Sequence, residues 1–325
     1  MTKYQRPNTK KMKQKAKIFI LLLIIALAFC LIFLALRENR LPTVRQNYQP
    51  KSYNRIISLA PSTTEILFTL GLGDKVIGVS QFCNWPPAAK TLPRMGGLMN
   101  PNYEAIVAAK PDLVIVFDDM LESENKFRAL GIETLAVKHD TISDILDSIQ
   151  AIGQRCGKAE QAQMIVNEIL NKTHTIESQN QTQDPPKVLV CIGHDYSQDP
   201  SAKPQNIYIA GNDGFYGEMI KLAGGQNAYS GSIPNPAVSF ESMISMNPQI
   251  IIDILPPANA SIESKIIKKQ WQNLSDIDAA KNNRIYVFSE DYMSIPGPRF
   301  INIIEKIAGV INPPIQTEED ERKNN

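Results

Sequence analysis

The sequence predicts an α/β protein of two lobes, each a mostly parallel sheet flanked by helices, bridged by one long α-helix, with an N-terminal transmembrane anchor helix. Three observations support this prediction. A helix-then-strand pattern occurs twice, strand and helix patterns alternate along both halves, and a long amphipathic stretch separates the halves. Such alternation is the pattern of a parallel sheet with helices on its faces.

The repeated pattern occupies residues 102–116 and 239–253. Each copy opens with a residue whose side-chain oxygen can cap a helix, followed by an aromatic residue and a glutamate, Glu104 or Glu241. A short amphipathic helix then ends at a proline, and an apolar run predicts a buried strand. Copies about 137 residues apart predict two similar halves, because solenoid repeats recur every ~20–50 residues.

Composition and charge limit the classes of protein that the chain can belong to. Its 325 residues, 43% hydrophobic and 21% charged, are enough for two domains with a sizeable core. Residues 1–17 carry seven Lys or Arg and no acid, which leaves the remainder at −6 out of a total of +1. An acidic folded part argues against nucleic-acid binding.

Residues 18–36 form a run of nineteen uncharged, almost wholly apolar residues. As a helix this run would span about 28 Å, close to the thickness of a bilayer core. The basic tail of residues 1–17 predicts that this end stays in the cytoplasm and that the rest of the chain is exported. Residues 37–52 are then an exposed tether.

Three processing states remain open for the apolar run, of which we favour an uncleaved anchor. Leu27-Ala-Phe-Cys30 resembles a lipoprotein box, but Phe29 is larger than such a box prefers. Ala26-Leu-Ala28 fits a signal-peptidase site, yet cleavage there would leave an apolar new N-terminus.

The chain after the tether divides into four further segments. Residues 53–141 predict the N-terminal lobe, residues 142–180 a linking helical segment interrupted near Gly153 and Gly157, and residues 187–313 the C-terminal lobe. Residues 314–325 are charged and predict a disordered tail.

Local motifs add one structural assignment and several exclusions. Ser62 and Glu65 have capping-box spacing at the start of the first helix. Cys83, Cys156 and Cys191 lie outside the anchor without CxxC pairing, so at most one disulfide and no structural zinc site is expected. The chain has no nucleophile elbow, P-loop, dinucleotide fingerprint or zinc-protease helix, so we expect no enzyme activity.

Several segments together resemble one known family. They are residues 55–65, residues 78–87 with their Asn84-Trp-Pro-Pro87, Lys110-Pro-Asp-Leu-Val114, and Ala223-Gly-Gly-Gln-Asn227. In order and spacing they are similar to the helical-backbone class of ABC-importer substrate-binding proteins, which carry cobalamin, ferric siderophores and haem. The resemblance covers about residues 53–311 and is greatest to the cobalamin-binding members.

The resemblance implies two lobes with a ligand in the cleft between them, and delivery to an ABC permease and its ATPase on other chains. In such proteins one acidic residue on each lobe docks onto the permease, and the matching positions here are Glu104 and Glu241. The alternative is that each glutamate only complements its helix dipole, which contributes about 0.3–1 kcal/mol.

The resemblance also places ligand-binding residues in the cleft: Phe82, Leu98, Tyr208, Asn235, Asp291 and Tyr292. Leu98 and Asn235 stand where cobalamin binders carry tryptophan, and Ala223 and Ala308 where they carry a cysteine pair. Trp85 is a further candidate aromatic surface, or a packed loop residue.

Three other polar residues have open assignments. His194 follows a strand and is a candidate ligand to a chelated metal, with a plain surface position as the alternative. Arg299 either pairs with an anionic ligand or caps the last helix. His139 and His174 are expected to be structural or exposed, and three scattered histidines do not predict a site for a bare metal ion.

The predicted function is therefore that of an extracytoplasmic, membrane-tethered solute-binding component of an ABC importer, with a corrinoid or ferric siderophore as its ligand. The alternative is a membrane-tethered sensor or scaffold that uses the same fold without transport. We expect no cofactor, although the ligand itself contains cobalt or iron, and a monomer that does not bind nucleic acid.

Overall fold

A computed structural model of the chain describes residues 52–212 and 214–313. The predictions made for residues 1–51 and 314–325, including the anchor, most of the tether and the C-terminal tail, lie outside the described residues. None of the helices within those described ranges combines the length and the apolar character needed to span a bilayer.

The first sheet has four strands in the order β2-β1-β3-β4, all parallel. Its strands are β1 (Ile56–Ser58), β2 (Val76–Val79), β3 (Leu113–Phe117) and β4 (Thr134–Val137). The helices between them are α1 (Pro61–Thr69), α2 (Tyr103–Ala108) and α3 (Leu121–Ala129), with short 3-10 turns at Gly73–Lys75 and Pro87–Thr91. Strand β3 is buried along its whole length, as its unbroken apolar run predicts.

The predicted capping box at the first helix is wrong. Helix α1 begins at Pro61, with Ala60 in the N-cap position and no side-chain capping hydrogen bond. Proline is favoured as the first helical residue because its fixed φ suits the helix and its missing N–H would have no partner there. Ser62 and Glu65 consequently lie inside the helix, and both are buried.

Two helices lie between the sheets along the chain, α4 (Ile142–Arg155) and α5 (Ala159–Asn180). Thr141 and Asp144 form a complete capping box at the start of α4. Gly157, with a φ of +70°, terminates α4 in the left-handed region, which glycine tolerates best. Gly153 stays inside α4, where a Cβ atom would come within 2.4 Å of Ala162 Cβ, so glycine permits the two helices to pack closely.

The second sheet is mixed, with the order β10-β9-β5-β6-β8 and β7 paired to β5. Strands β5, β7, β9 and β10 run parallel, whereas β6 is antiparallel to both β5 and β8, an edge that the sequence did not predict. Its strands are β5 (Lys187–Gly193), β6 (Ile207–Ile209), β7 (Gln226–Asn227), β8 (Ala237–Val238), β9 (Ile250–Ile254) and β10 (Ile285–Phe288). The helices are α6 (Phe215–Leu222), α7 (Phe240–Met246), α8 (Ser264–Gln272), α9 (Asp278–Lys281) and α10 (Phe300–Ile311), with 3-10 turns at Pro257–Asn259 and Asp291–Ser294.

The repeated segment adopts the same local structure in both halves. The side chains of Asn102 and Ser239 cap helices α2 and α7 by accepting a hydrogen bond from the backbone N–H three residues on. Each helix is followed by a non-glycine residue of positive φ immediately before the proline, Lys110 at 47° and Asn247 at 42°. The chain then enters the buried strands β3 and β9, each of which pairs with the first strand of its own half.

One continuous apolar core joins the two lobes. It extends from Ile56 and Leu67 in the first lobe, through Ile149 and Ile165 on the linking helices, to Phe300 in the second. A polar contact adds to this connection, because the Ile142 backbone N–H at the start of α4 donates a 2.8 Å hydrogen bond to Glu218 on α6. The lobes are therefore held together by packing as well as by the chain.

Candidate functional site

The carboxyl ends of strands from both sheets face a common cleft. Residues after β1, β2 and β4 supply the wall on the first lobe, and residues after β9 and β10 supply much of the opposite wall. Ligands of open α/β sheets bind at the carboxyl ends of strands, so this cleft is the natural candidate site. It contains two chambers, whose linings include the consecutive residues Ile295 and Pro296 respectively.

The first chamber has a volume of about 610 Å³ and a largely apolar wall. Its residues include Pro61, Phe82, Leu98 and Met99 from the first lobe, and Pro257, Asp291 and Ile295 from the second. Phe82 and Met99 are 55% and 85% exposed, which is unusual for large apolar side chains and marks a surface available for contact.

The second chamber has a volume of about 460 Å³ and is more polar. It lies between His139 and Asp140, which follow β4, and a wall from the second lobe that includes Tyr216, Asn235 and Pro296. The His139 ring stacks on Phe117 with 3.7 Å between the ring centroids, and its buried Nδ1 atom has no hydrogen-bond partner within the described structure.

A buried ion pair crosses between the lobes beside the first chamber. Arg299 donates two hydrogen bonds to Glu65, from Nε at 3.0 Å and from Nη2 at 2.6 Å. The same guanidinium donates to Asp291, from Nη1 at 2.9 Å and from Nη2 at 3.2 Å. Arg299 occupies the N-cap position of α10, but its side chain makes no capping hydrogen bond, because four hydrogen bonds to two carboxylates engage the guanidinium.

Burial and ion pairing have opposite effects on the pKa values of Glu65 and Arg299. Desolvation raises the pKa of the Glu65 carboxyl, and the hydrogen bonds from Arg299 limit that rise. Desolvation disfavours the charged Arg299 guanidinium, but the hydrogen bonds to Glu65 and Asp291 outweigh it, so the pKa of Arg299 is raised. The faces of Trp85 and Tyr292 lie 4.9 Å and 5.4 Å from the guanidinium carbon and supply cation–π contacts.

The structure brings together some of the predicted ligand-binding residues and separates others. Phe82, Leu98 and Asp291 line the first chamber, and Asn235 lines the second. Trp85 and Tyr292 flank the chamber through their contacts with Arg299. Tyr208 lies on strand β6 with its ring half exposed, away from the lining of either chamber.

The prediction that His194 is either a ligand residue or a surface residue is wrong. Its side chain is fully buried, with Nε2 2.9 Å from Asp253 and Nδ1 3.1 Å from the Asp195 carbonyl. Tyr196 and Trp271 also donate to Asp253, at 3.0 Å and 2.6 Å. Three donors satisfy this buried carboxylate, so His194 belongs to a structural network that holds the loop after β5.

Sequence reasoning placed Asn235 in the site but missed several other side chains of the second chamber. His139 and Asp140 come two and three residues after the end of β4, so the general rule that ligands bind beyond the carboxyl ends of strands applies to them. The sequence offered less indication that Tyr216 lines the cleft, because this residue lies in the first turn of a helix and not after a strand. Its hydroxyl donates a hydrogen bond to the Met293 carbonyl.

The two repeated glutamates occupy equivalent exposed positions. Glu104 and Glu241 lie in the first turns of α2 and α7, and neither takes part in a salt bridge among the residues that the structure describes. Hydrogen bonds from its own backbone N–H and from the Ser239 hydroxyl hold the pKa of Glu241 below its ordinary value.

Each glutamate is accompanied by an exposed aliphatic side chain three residues on, Val107 at 44% and Ile244 at 40% exposure. Residues three apart share a helix face, so both lobes present an acid beside an apolar residue. A groove of about 550 Å³ adjoins Glu241, lined by Tyr229, Ile233, Val238 and Met246 among others.

Two further observations bear on metal and thiol chemistry. Among residues 52–212 and 214–313, no group of three His, Cys, Asp or Glu side chains is arranged to hold a metal ion. Cys83, Cys156 and Cys191 are free thiols, and burial raises the pKa of each.

Comparison with known proteins gives a consistent result. A family model described as "Periplasmic binding protein" matches residues 56–292. The chain is 29% identical over 270 residues to an uncharacterized ABC transporter substrate-binding lipoprotein of Bacillus subtilis, covering 81% of each chain. It is 30% identical over 257 residues to a vitamin B12-binding protein of Vibrio campbellii, covering 78% of this chain and 88% of that one.

Among solved structures, a possible iron-binding (periplasmic solute-binding) protein of Staphylococcus epidermidis superposes with a TM-score of 0.66. The two sequences are 29% identical, and the match covers 80% of this chain and 99% of the other. The names of these three proteins describe the binding of a substrate, of vitamin B12 and of iron or another solute.

We expect the substitution Arg299→Met to lower the free energy of unfolding by about 3–5 kcal/mol at neutral pH, because it leaves Glu65 as a buried carboxylate without its partner. Glu65 then binds a proton more tightly in the folded state than in the unfolded state. The loss of stability should therefore be greatest at neutral pH and should diminish as the pH falls through the raised pKa of Glu65.

Urea denaturation across a range of pH measures this effect. The matched control is the double variant Glu65→Leu/Arg299→Met, which removes both charges and should recover much of the lost stability. A single variant as stable as the parent at neutral pH would contradict the role assigned to the ion pair.

Proposed function

Because the chain belongs to the periplasmic binding protein family, which its residues 56–292 match, we propose that it is the solute-binding component of an ABC importer and that it captures a metal-chelate nutrient in the cleft between its lobes. The observation that carries the proposal is the two-chambered cleft at the carboxyl ends of both sheets. Chambers of about 610 Å³ and about 460 Å³ each provide room for a ligand larger than a bare ion.

The chemistry of the cleft and the names of the relatives favour the same class of ligand. Exposed Phe82 and Met99 provide apolar contact for a large ligand, and polar groups at the rim and in the second chamber provide hydrogen bonds. One relative is named as binding vitamin B12 and one structural neighbour as a possible iron-binding protein. A corrinoid and a ferric siderophore are therefore the proposed cargoes.

A ligand titration tests the proposed cargo. The chain has two tryptophans, of which Trp85 lies beside the first chamber and Trp271 is fully buried in the second lobe. We expect saturable quenching of Trp85 fluorescence, with a Kd in the micromolar range or tighter, by one of cyanocobalamin, cobinamide, a ferric hydroxamate, a ferric catecholate or haem.

The variant Trp85→Phe is the control for this titration. It should lose the part of the quenching that comes from Trp85 while calorimetry still detects binding, because the substitution keeps an aromatic ring at position 85. Absence of saturable binding across the whole panel, by fluorescence and by calorimetry, would reject a metal-chelate cargo.

Glu104 and Glu241 support the proposed delivery to a permease and its ATPase. Two exposed carboxylates at equivalent places on the two lobes suit a partner that offers two basic sites, and the neighbouring Val107 and Ile244 suit apolar contact around each of them. Complementary charges of this kind orient the encounter of two proteins more than they raise affinity.

We expect Glu104→Arg/Glu241→Arg to abolish uptake of the ligand while leaving its Kd for the isolated protein unchanged. The control is Glu122→Arg/Glu168→Arg, which makes the same change in charge at two other exposed helix positions. These two residues form exposed ion pairs of little energetic weight, so uptake should persist in the control. Normal uptake by the first variant would exclude the docking role.

The N-terminal residues support a tether to the cytoplasmic membrane. An apolar run of nineteen residues behind a basic tail has the sequence of an uncleaved anchor whose following chain is exported. Mass spectrometry of the membrane fraction tests this assignment, because an uncleaved chain keeps its full 36.2 kDa. A shortened species that begins at Phe29, or a lipid-modified Cys30, would replace the anchor by one of the other two processing states.

A further inference from the structure

The charged side chains that line the cleft are acidic. Asp140 lines the second chamber and Asp291 lines the first. No Lys or Arg is present in the lining of either chamber among the residues that the structure describes. An anion that entered the cleft would give up water and find Asp140 in the second chamber and, in the first, Asp291, whose pairing with Arg299 leaves no free cation to compensate the anion.

Two arginines that contact residues beside or within the first chamber's wall are bound to protein groups. Arg299 donates four hydrogen bonds to Glu65 and Asp291, and aromatic rings lie over its guanidinium. Arg94 lies behind the loop that carries Phe82, and its guanidinium donates to the carbonyls of Ser80, Cys83 and Lys90. Neither guanidinium is free to bind the carboxylate or catecholate oxygens of a ligand with two parallel hydrogen bonds.

Apart from the His139 imidazole, the other polar side chains that the structure describes in these linings are neutral amides and hydroxyls. Gln81, Asn84, Asn100 and Ser294 line the first chamber, and Asn235 lines the second. Amide side chains both donate and accept hydrogen bonds, so they match a ligand whose periphery carries amides or hydroxyls. They contribute no net charge with which to attract an anion.

We propose that the cleft selects neutral or cationic metal chelates with an amide-rich or hydroxyl-rich periphery and discriminates against anionic chelates. This inference rests on the proposed function and narrows its ligand class. It favours corrinoids and hydroxamate-type ferric chelates over ferric tris-catecholates, which are triply negative, and over haem, which carries two carboxylates.

The discrimination arises from charge and not from shape. A ferric trihydroxamate and a ferric tris-catecholate place the same metal in a similar octahedral shell, but only the second is an anion. A unit charge near an exposed carboxylate changes affinity by only about a few-fold at the effective dielectric of a protein surface. Because the catecholate carries three such charges, we expect it to bind at least about tenfold more weakly.

The test uses the full chain in detergent and isothermal titration calorimetry with two charge-differing pairs. One pair is a neutral ferric trihydroxamate and a ferric tris-catecholate, and the other is cyanocobalamin and its monocarboxylic acid derivative. The expected result is binding of the neutral member of at least one pair, with its anionic partner weaker. An anionic member that binds as tightly as its neutral partner, or haem as the tightest ligand, would overturn the inference and leave the proposed function intact. Failure of every probe to bind would remove the proposed function and the inference together.

A single substitution tests whether a carboxylate of the cleft causes the weaker binding of anionic probes. Asp140→Asn removes one carboxylate from the second chamber, and the ratio of the Kd of the anionic probe to that of the neutral probe should fall by about threefold. Glu160→Gln is the matched control, because it removes the same charge at an exposed position on α5 outside both chambers. Higher ionic strength should also reduce the ratio in the parent protein. A ratio that responds equally to both substitutions, or to neither, would show that Asp140 does not select the ligand.

Discussion

The geometry of the cleft depends on the buried ion pair between Glu65 on the first lobe and Arg299 on the second. Helix α1 carries both Glu65 and Pro61, and Pro61 forms part of the first chamber, while Asp291 on the opposite wall shares the same guanidinium. A buried charge that loses its partner is strongly destabilising. The two walls are therefore held at the separation that lets Arg299 reach both carboxylates, and the core that joins the lobes through α4 and α5 supports this arrangement.

Features that follow from local chemistry were predictable from the sequence. The caps at Asn102 and Ser239, the short helices after them and the buried strands β3 and β9 depend on neighbouring residues, so each copy of the repeat could be recognised separately. The role of Glu65 could not, because its partner lies 234 positions along the chain and a capping-box spacing offered a local explanation. The antiparallel edge at β6 and β8 was missed because strands of three and two residues carry too little periodicity.

The rule that ligands bind at the carboxyl ends of parallel strands predicts part of the candidate site. The end of a parallel strand indicates a position near a cleft, and Phe82 and Asp291 fulfil this expectation. The rule does not give the direction of a side chain. His194 also follows a strand, but its ring turns toward Asp253 in the neighbouring strand β9, where the carboxylate needs donors. His139 has the same sequence signal and faces the second chamber, so only the packing of each loop separates the two histidines.

The frame of the protein and its ligand preference are set by different residues. The ion pair, the continuous core and the linking helices fix how the lobes face each other, and none of them requires a particular ligand. The lining residues decide charge and hydrogen bonding, and the loops that carry them can vary without disturbing the sheets. Leu98 and Asn235 are such lining residues. The acidic and amide character of the wall is thus better evidence on the ligand than the overall likeness of the chain to its relatives.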